Sequence, residues 1–185
     1  MLPDKLLLES ALLVVGWQRG DPDAFAAIVK LWEPSLFVFL RRLARTEADA
    51  WDLLQETWLK LLRSRKSLRD PEAFPAFMYK IARHTAYSRF RYRTAETEHF
   101  PEEVVDDRSL DDLSGFDNSD QLHHALDQLP VAQREALTLF FLQELSLSEM
   151  AAVLEAPLGT VKSRLHYGKI ALRKILTEGL TNHDH

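Results

Sequence analysis

Residues 95–120, AETEHFPEEVVDDRSLDDLSGFDNSD, carry ten carboxylates against one cation, Arg108. A segment so charged, with little apolar periodicity, cannot bury enough surface to offset the entropy lost on ordering it. It reads as a flexible acidic linker, with a plain solvated spacer as the simpler alternative. Either way, whatever folds must fold on its two sides. Residues 1–94 carry 16 cations and 11 acids, net +5, and residues 121–185 carry 6 and 7, net −1. The acidity of the chain, −5 in all, therefore belongs largely to the middle piece.

At 185 residues and 46% apolar composition there is room for one domain or two small ones with real cores. The absence of cysteine excludes disulfides and thiolate metal sites and fits a reducing cytoplasm. The run LLLESALLVVGW is interrupted by Glu9, lacks a basic leader, and is too short to span a bilayer, so it reads as a buried helix. A cytoplasmic protein without membrane insertion is expected. The histidines show no ligand spacing, and His183 and His185 sit in the tail. No Gly-rich phosphate loop, Ser/His/Asp ordering signal or metal triad occurs, so neither an enzyme nor a cofactor is expected.

No strand-like alternation persists anywhere, whereas helical signals recur. In GDPDAFAAIVKLWEPSLFVFLRRLAR, Asp21 reads as a cap with Pro22 at the first helical position. Phe25, Ile28, Val29 and Trp32 form a stripe. Pro34 then predicts a break into a second helix carrying Leu36, Phe39, Leu40 and Leu43. In TEADAWDLLQETWLKLLRSR the core stripe is Leu54, Trp58, Leu61 and Leu62, supported by Leu53 and Thr57. Asp52, Gln55, Glu56 and Lys60 occupy the remaining face. A further helix starts at Asp70-Pro71 and runs to Arg93. The fold class is all-α, as two small helical domains.

The C-terminal part contains a helix-turn-helix pattern. Ser146 and Glu149 fit a capping box, with Leu145 and Met150 placed for a hydrophobic staple. A short helix carries Met150, Val153 and Leu154 inward, and a break follows at Glu155-Ala156-Pro157. The next helix has no acid between Ala156 and Leu176. At about 100° per residue, Leu165, Gly168, Leu172, Ile175 and Leu176 fall within about 60° of Val161, which makes the buried stripe. Lys162, Ser163, His166, Tyr167, Ile170, Arg173 and Lys174 point away, with Arg164 on the shoulder. Cations neutralise phosphate or reach guanine, and hydroxyl and aromatic groups meet bases. An acid on this face would repel phosphate. A helix whose cations merely complement its C-terminal dipole accounts for Arg173 and Lys174 but not for the polar face at its start.

A second acid-free stretch, YKIARHTAYSRFRYR, carries Lys80, Arg83, Arg89, Arg91 and Arg93 among Tyr79, Tyr87, Phe90 and Tyr92. Binding an unstacked strand needs cations and flat rings on which bases stack, at about 1–3 kcal/mol per base. Phe74, Phe77 and Ile81 read as core by helical spacing. Tyr87 and the arginines are the candidates for contact.

The order GDPDAFAAIVKLW, ADAWDLLQETWLKL, AFPAFMYKIARHTAYSRFR, acidic linker, LDQLPVAQREALTLFFLQELSLSEMAAVLEAPLGTVKSRL resembles the extracytoplasmic-function (ECF) class of bacterial RNA polymerase sigma factors. No single motif is decisive, but four in this order are specific together. The resemblance implies that residues 1–94 are similar to sigma domain 2 and residues 121–185 to sigma domain 4, with 95–120 between them. It implies core RNA polymerase and promoter DNA as partners, with an anti-sigma factor typical of the family. It places polymerase docking on Asp52, Gln55 and Glu56. Recognition and opening of the −10 element fall on Lys80, Arg83, His84, Tyr87, Arg89 and Arg91. Recognition of the −35 element falls on Thr160, Lys162, Ser163, Arg164, His166 and Tyr167. The linker would thread the polymerase channel that RNA later occupies.

Several positions depart from the family pattern. His84 stands where Asn is usual, Ser88 where Asp is, and Phe77-Met78 where Trp-Leu is common. Trp51 replaces an acid beside Asp52. Glu155 replaces the turn glycine, at a cost of about 1 kcal/mol where positive φ is needed. His166-Tyr167-Gly168-Lys169 replaces an Arg-Ala-Arg run. A stand-alone helix-turn-helix regulator is the alternative; it predicts tight duplex binding without polymerase, normally as a dimer on a palindrome.

Overall fold

A computed structural model describes residues 3–90 and 119–181. Arg91 to Arg93, the acidic linker as far as residue 118 and the two tail histidines lie outside the described residues, while Ser119 and Asp120, expected in the linker, open the first helix of the C-terminal half. Every described element is helical. The N-terminal half comprises α1 (Asp4–Arg19), α2 (Ala24–Leu43), α3 (Glu47–Arg63), a 3₁₀ turn (Pro71–Ala73) and α4 (Phe74–Phe90). The C-terminal half comprises α5 (Ser119–Asp127), α6 (Val131–Leu137) running into a π turn (Thr138–Leu142), α7 (Leu147–Leu154) and α8 (Leu158–Thr181).

The N-terminal half is a bundle built on α2, against which α1, α3 and α4 pack. Trp32, Leu36, Phe39, Leu40 and Leu43 are buried there beside Leu53, Leu61, Phe74 and Met78. The expected break at Pro34 does not occur, because α2 continues through it to Leu43. Pro34 lies on the exposed side, while Ile28, Trp32, Leu36 and Leu40 make one uninterrupted buried line. Packing along that line holds a helix that local preference opposes by about 3 kcal/mol. Pro34→Ala, which restores an N–H for the Lys30 carbonyl, is expected to stabilise the chain by about 1–3 kcal/mol, read as a higher urea midpoint.

Two local expectations shift. The start of α2 moves from Asp21 to Asp23: the Asp21 carboxylate accepts from the Asp23 backbone at 3.0 Å and closes a turn, leaving Pro22 outside the helix. Leu62 is 48% exposed rather than core. The buried arc of α3 centres between Leu53 and Trp58, and Leu62 lies about 110° from its middle. Phe77 and Ile81 are partly buried and pack against the core, while Phe74 is fully enclosed.

The two halves do not stand apart. α4 lies along α7, and α2 meets α6 and the π turn, so buried side chains of both halves form one hydrophobic cluster. The Tyr79 hydroxyl donates to Gln143 Oε1 at 2.5 Å inside this contact, and Arg42 pairs with Asp127 at 3.1 Å and with the His123 ring. Burial raises the Tyr79 pKa and lowers that of Arg42.

Candidate nucleic-acid interface

The helix-turn-helix begins at the expected capping box: Ser146 Oγ accepts from the Glu149 backbone and the Ser146 backbone donates to Glu149 Oε2 at 2.8 Å. Leu145 and Met150 are both buried beneath it. The helix α7 ends at Glu155, whose φ of 51° and ψ of 43° are left-handed, the conformation a glycine adopts without steric cost. α8 then crosses α6 closely. A Cβ on Gly168 would come within 3.2 Å of Leu137 Cδ1 and 3.3 Å of Gln133 Cβ, so the side-chain-free position sets the approach of the two helices.

On α8, Val161, Leu165, Leu172 and Leu176 are buried and Ile175 partly so. Thr160, Lys162, Ser163, His166 and Tyr167 are half-exposed, and Ile170, Arg173 and Lys174 are exposed. The His166 and Tyr167 rings meet edge to face, centroids 5.2 Å apart. Arg164 turns inward, to 8% exposure, and joins the charges around Glu135. Lys169 is also buried, with its ammonium 5.4 Å from the Phe141 ring centroid.

On α4, Lys80, Arg83, His84 and Tyr87 share one face, at spacings of three and four. All four meet carboxylates of the C-terminal half. Lys80 Nζ lies 2.9 Å from Glu155 Oε1 and His84 Nε2 lies 2.5 Å from Glu155 Oε2. Arg83 Nε lies 2.8 Å from Glu135 Oε1, and the Tyr87 hydroxyl donates to Glu135 Oε2 at 3.0 Å. The Arg83–Glu135 contact is a charge pair rather than an aligned hydrogen bond, since neither of those two atoms completes one. The Arg83 guanidinium also covers the Tyr87 ring at 4.2 Å. Arg89 points elsewhere, to Asp52 at 2.8 Å and Asp49 at 3.6 Å, and its hydrogen bond to Asp52 raises its pKa.

Electrostatics differ sharply between the two carboxylates. Glu135 is fully buried, and loss of hydration raises its pKa against the opposing pull of Arg83, the Tyr87 hydroxyl and Arg164. Burial, then the charge of Glu135, pushes Tyr87 up to about 12. Glu155 is held down at about 2 by hydrogen bonds from Lys80 and His84. A depressed carboxyl stabilises the folded state above its ordinary pKa of 4.5 and loses that contribution as pH falls through its folded value. The stability difference between the parent and Glu155→Gln should therefore shrink as pH falls from about 5 to about 2. Urea midpoints across that range check it. A difference constant with pH would mean that Glu155 contributes nothing through its charge.

The third group lies on α3. Asp52 and Gln55 are exposed, and Glu56 pairs with Lys60 at 2.7 Å. Trp51 is 44% exposed and stacks on Phe37, centroids 4.3 Å apart. With Leu59 and Leu62 it makes an exposed apolar stripe beside the polar groups. Sequence reading passed over Glu135, although it falls on the side of α6 shared by Ala132, Ala136 and Leu139. A carboxylate in register with apolar positions was the available signal.

Residues 28–96 match the family model described as Sigma-70 region 2, and residues 119–172 match Sigma-70, region 4. The chain is 30% identical over 174 residues to the ECF RNA polymerase sigma factor SigW of Bacillus subtilis, covering 87% of this chain and 93% of that protein. This chain is an ECF sigma factor. The RNA polymerase sigma-H factor of Pseudomonas aeruginosa is 31% identical over 180 residues, covering 89% of this sigma factor and 92% of its relative. The fold matches RpoE of Bartonella quintana, solved with the anti-sigma factor NepR, at a TM-score of 0.66 and 24% identity over 84% of this chain and 98% of that one. It also matches CnrH, solved with the cytosolic domain of CnrY, at 0.67 and 20% identity over 96% and 99%. Sigma factors bind core RNA polymerase and direct promoter-specific initiation, so the stand-alone regulator is not favoured. Among the described residues no helix is long and apolar enough to cross a membrane, and no cluster of His, Cys, Asp or Glu suited to a metal ion occurs.

Proposed function

We propose that residues 1–94 dock on core polymerase and engage the −10 element, that 95–120 is the tether, and that 121–185 read the −35 element, in the cytoplasm. The outward face of α8 carries this reading. Lys162, Ser163, His166 and Tyr167 stand half-exposed behind a tight turn, on a segment without a single acid from Ala156 to Leu176. A recognition helix enters the major groove with the residues of its N-terminal end on base edges, which are these positions. Thr160 sits at the start of that face, while Arg164 reaches DNA only on leaving its buried position. Lys80, Arg83, His84, Tyr87, Arg89 and Arg91 are assigned to the −10 strand, where cations and rings bind unstacked bases.

Transcription from a promoter library with purified core polymerase tests the assignment. Promoter-specific initiation is expected. No initiation, together with tight duplex binding by the protein alone, would overturn it in favour of a stand-alone regulator.

Polymerase docking is assigned to Asp52, Gln55 and Glu56 on α3, with Trp51 adding apolar contact. Asp52→Lys combined with Gln55→Ala should weaken core binding by about tenfold, mostly through slower association. Unchanged affinity would put the docking face elsewhere. One fold neighbour was solved with an anti-sigma factor, and we extend such a partner to this chain. Copurification from the native host tests that extension.

A further inference from the structure

We propose that the cleft between α2 and α5 is a binding site for a nucleotide, with its phosphates on Arg41 and Arg42 and its base against Phe37. The site is separate from the α4 and α8 faces assigned to DNA and does not rest on that assignment.

The cleft has a volume of about 400 Å³, lined by Phe37, Val38, Arg41 and Arg42 of α2 and by His123 and His124 of α5. That is the size of a site for a small organic ligand, and more than a lone inorganic ion fills. Asp127 completes the lining and is its one acid.

The polar wall is short of negative charge. Arg42 is 6% exposed, and its guanidinium meets Asp127 Oδ1 at 3.1 Å together with the His123 carbonyl and ring. A ring nitrogen that accepts from a guanidinium belongs to a neutral histidine, which supplies no counter-charge. Asp127 is also shared with Arg134, at 3.8 Å. Among the described residues Asp127 is the one carboxylate whose charge favours the Arg42 cation, whereas Arg41 and Arg134 oppose it. The buried Nε atoms of Arg42 and Arg134 have no acceptor in the protein. Buried guanidiniums with idle donors and like-charged neighbours are unfavourable until an anion completes them. Arg41 forms no ion pair among the described residues and stands half-exposed in the same wall.

The chemistry of the lining selects the ligand. A phosphate brings nearly two negative charges and several acceptor oxygens, which the planar fork of arginine bonds two at a time. A carboxylate brings one charge and leaves part of the surplus unmet. Phe37 and Val38 precede Arg41 and Arg42 by one helical turn, so apolar and cationic lining follow each other along α2. Phe37 stacks on Trp51, centroids 4.3 Å apart, which holds its ring in place beside the cleft. A flat base packs on such a ring whatever its sequence identity. Phosphates on one turn and a base on the turn before describe a nucleotide.

Isothermal titration calorimetry of the full chain with ADP, GDP and sodium pyrophosphate tests the site. At least one nucleotide should bind with a dissociation constant at or below about 100 μM, and more tightly than pyrophosphate. Arg41→Ala should weaken that binding about tenfold, the loss of one charge-assisted hydrogen bond. Val38→Trp, which fills the cleft, should weaken it at least as much, and melting temperatures without ligand check that both variants fold. Lys174→Ala, at an exposed cation of α8, should leave the affinity unchanged. No binding of either nucleotide up to about 1 mM, or undiminished binding by Arg41→Ala, would overturn the site. Pyrophosphate binding as tightly as both nucleotides would overturn the assignment of the base to Phe37, and with it the nucleotide.

Discussion

Trp32→Ala should lower the stability of the chain by about 3–5 kcal/mol. Trp32 is 1% exposed at the centre of the N-terminal bundle, with Phe74 beside it at 6.4 Å between ring centroids. Its indole N–H donates to Ser10 Oγ at 3.0 Å, and Ser10 is itself buried. Truncation leaves a large cavity and strips the Ser10 hydroxyl of its donor, two costs that add. Domains of this size have about 5–15 kcal/mol in total, so a large part of the native population is lost on warming. Trp32→Phe separates the terms: it keeps a ring in the space and loses the hydrogen bond, for a smaller loss. Urea denaturation of the three proteins checks the order. A loss below about 1 kcal/mol for Trp32→Ala would mean that α1 does not depend on this side chain for its seat.

Lys162→Ala and Tyr167→Ala should each reduce −35 discrimination by about 1–3 kcal/mol, and the double variant by more than either alone. Both side chains project from the half-exposed face of α8 and neither belongs to the buried stripe, so folding should be unchanged. Selection from a randomised −35 library with purified core polymerase measures the effect. Tyr167 meets His166 edge to face, so His166 loses a neighbour in the Tyr167 variant and the two effects are coupled. Unchanged promoter selection in both variants would remove α8 from the reading of DNA.

Local chemistry made much of this architecture legible. The capping box at Ser146, the turn at Glu155 to Pro157 and the buried stripe from Val161 to Leu176 follow from short-range rules, because each is decided by residues within a turn or two. Pro34 was misread for the opposite reason. Its effect is local, but the buried line from Ile28 to Leu40 that overrides it spans about three turns of α2 and packs on three neighbouring helices. Leu62 failed through angle alone, since a residue at the edge of an apolar arc is buried only if a neighbour reaches it.

Charge pattern, helical period and the spacing of turn residues determined that this chain is all-α, that an acidic piece separates two helical halves, and that α8 presents a polar face free of acid. Those properties depend on neighbours in sequence. Tertiary structure alone decided that Arg83 and Arg164 are buried around Glu135 and that Glu155 bridges to Lys80 and His84. A charged side chain reads as exposed from sequence, because isolated burial would cost several kcal/mol. Only the docking of α4 along α7, which also brings Glu135 of α6 within reach, supplies the opposite charge that makes burial affordable, with the partners 52 and 71 residues apart in sequence for Arg83–Glu135 and His84–Glu155.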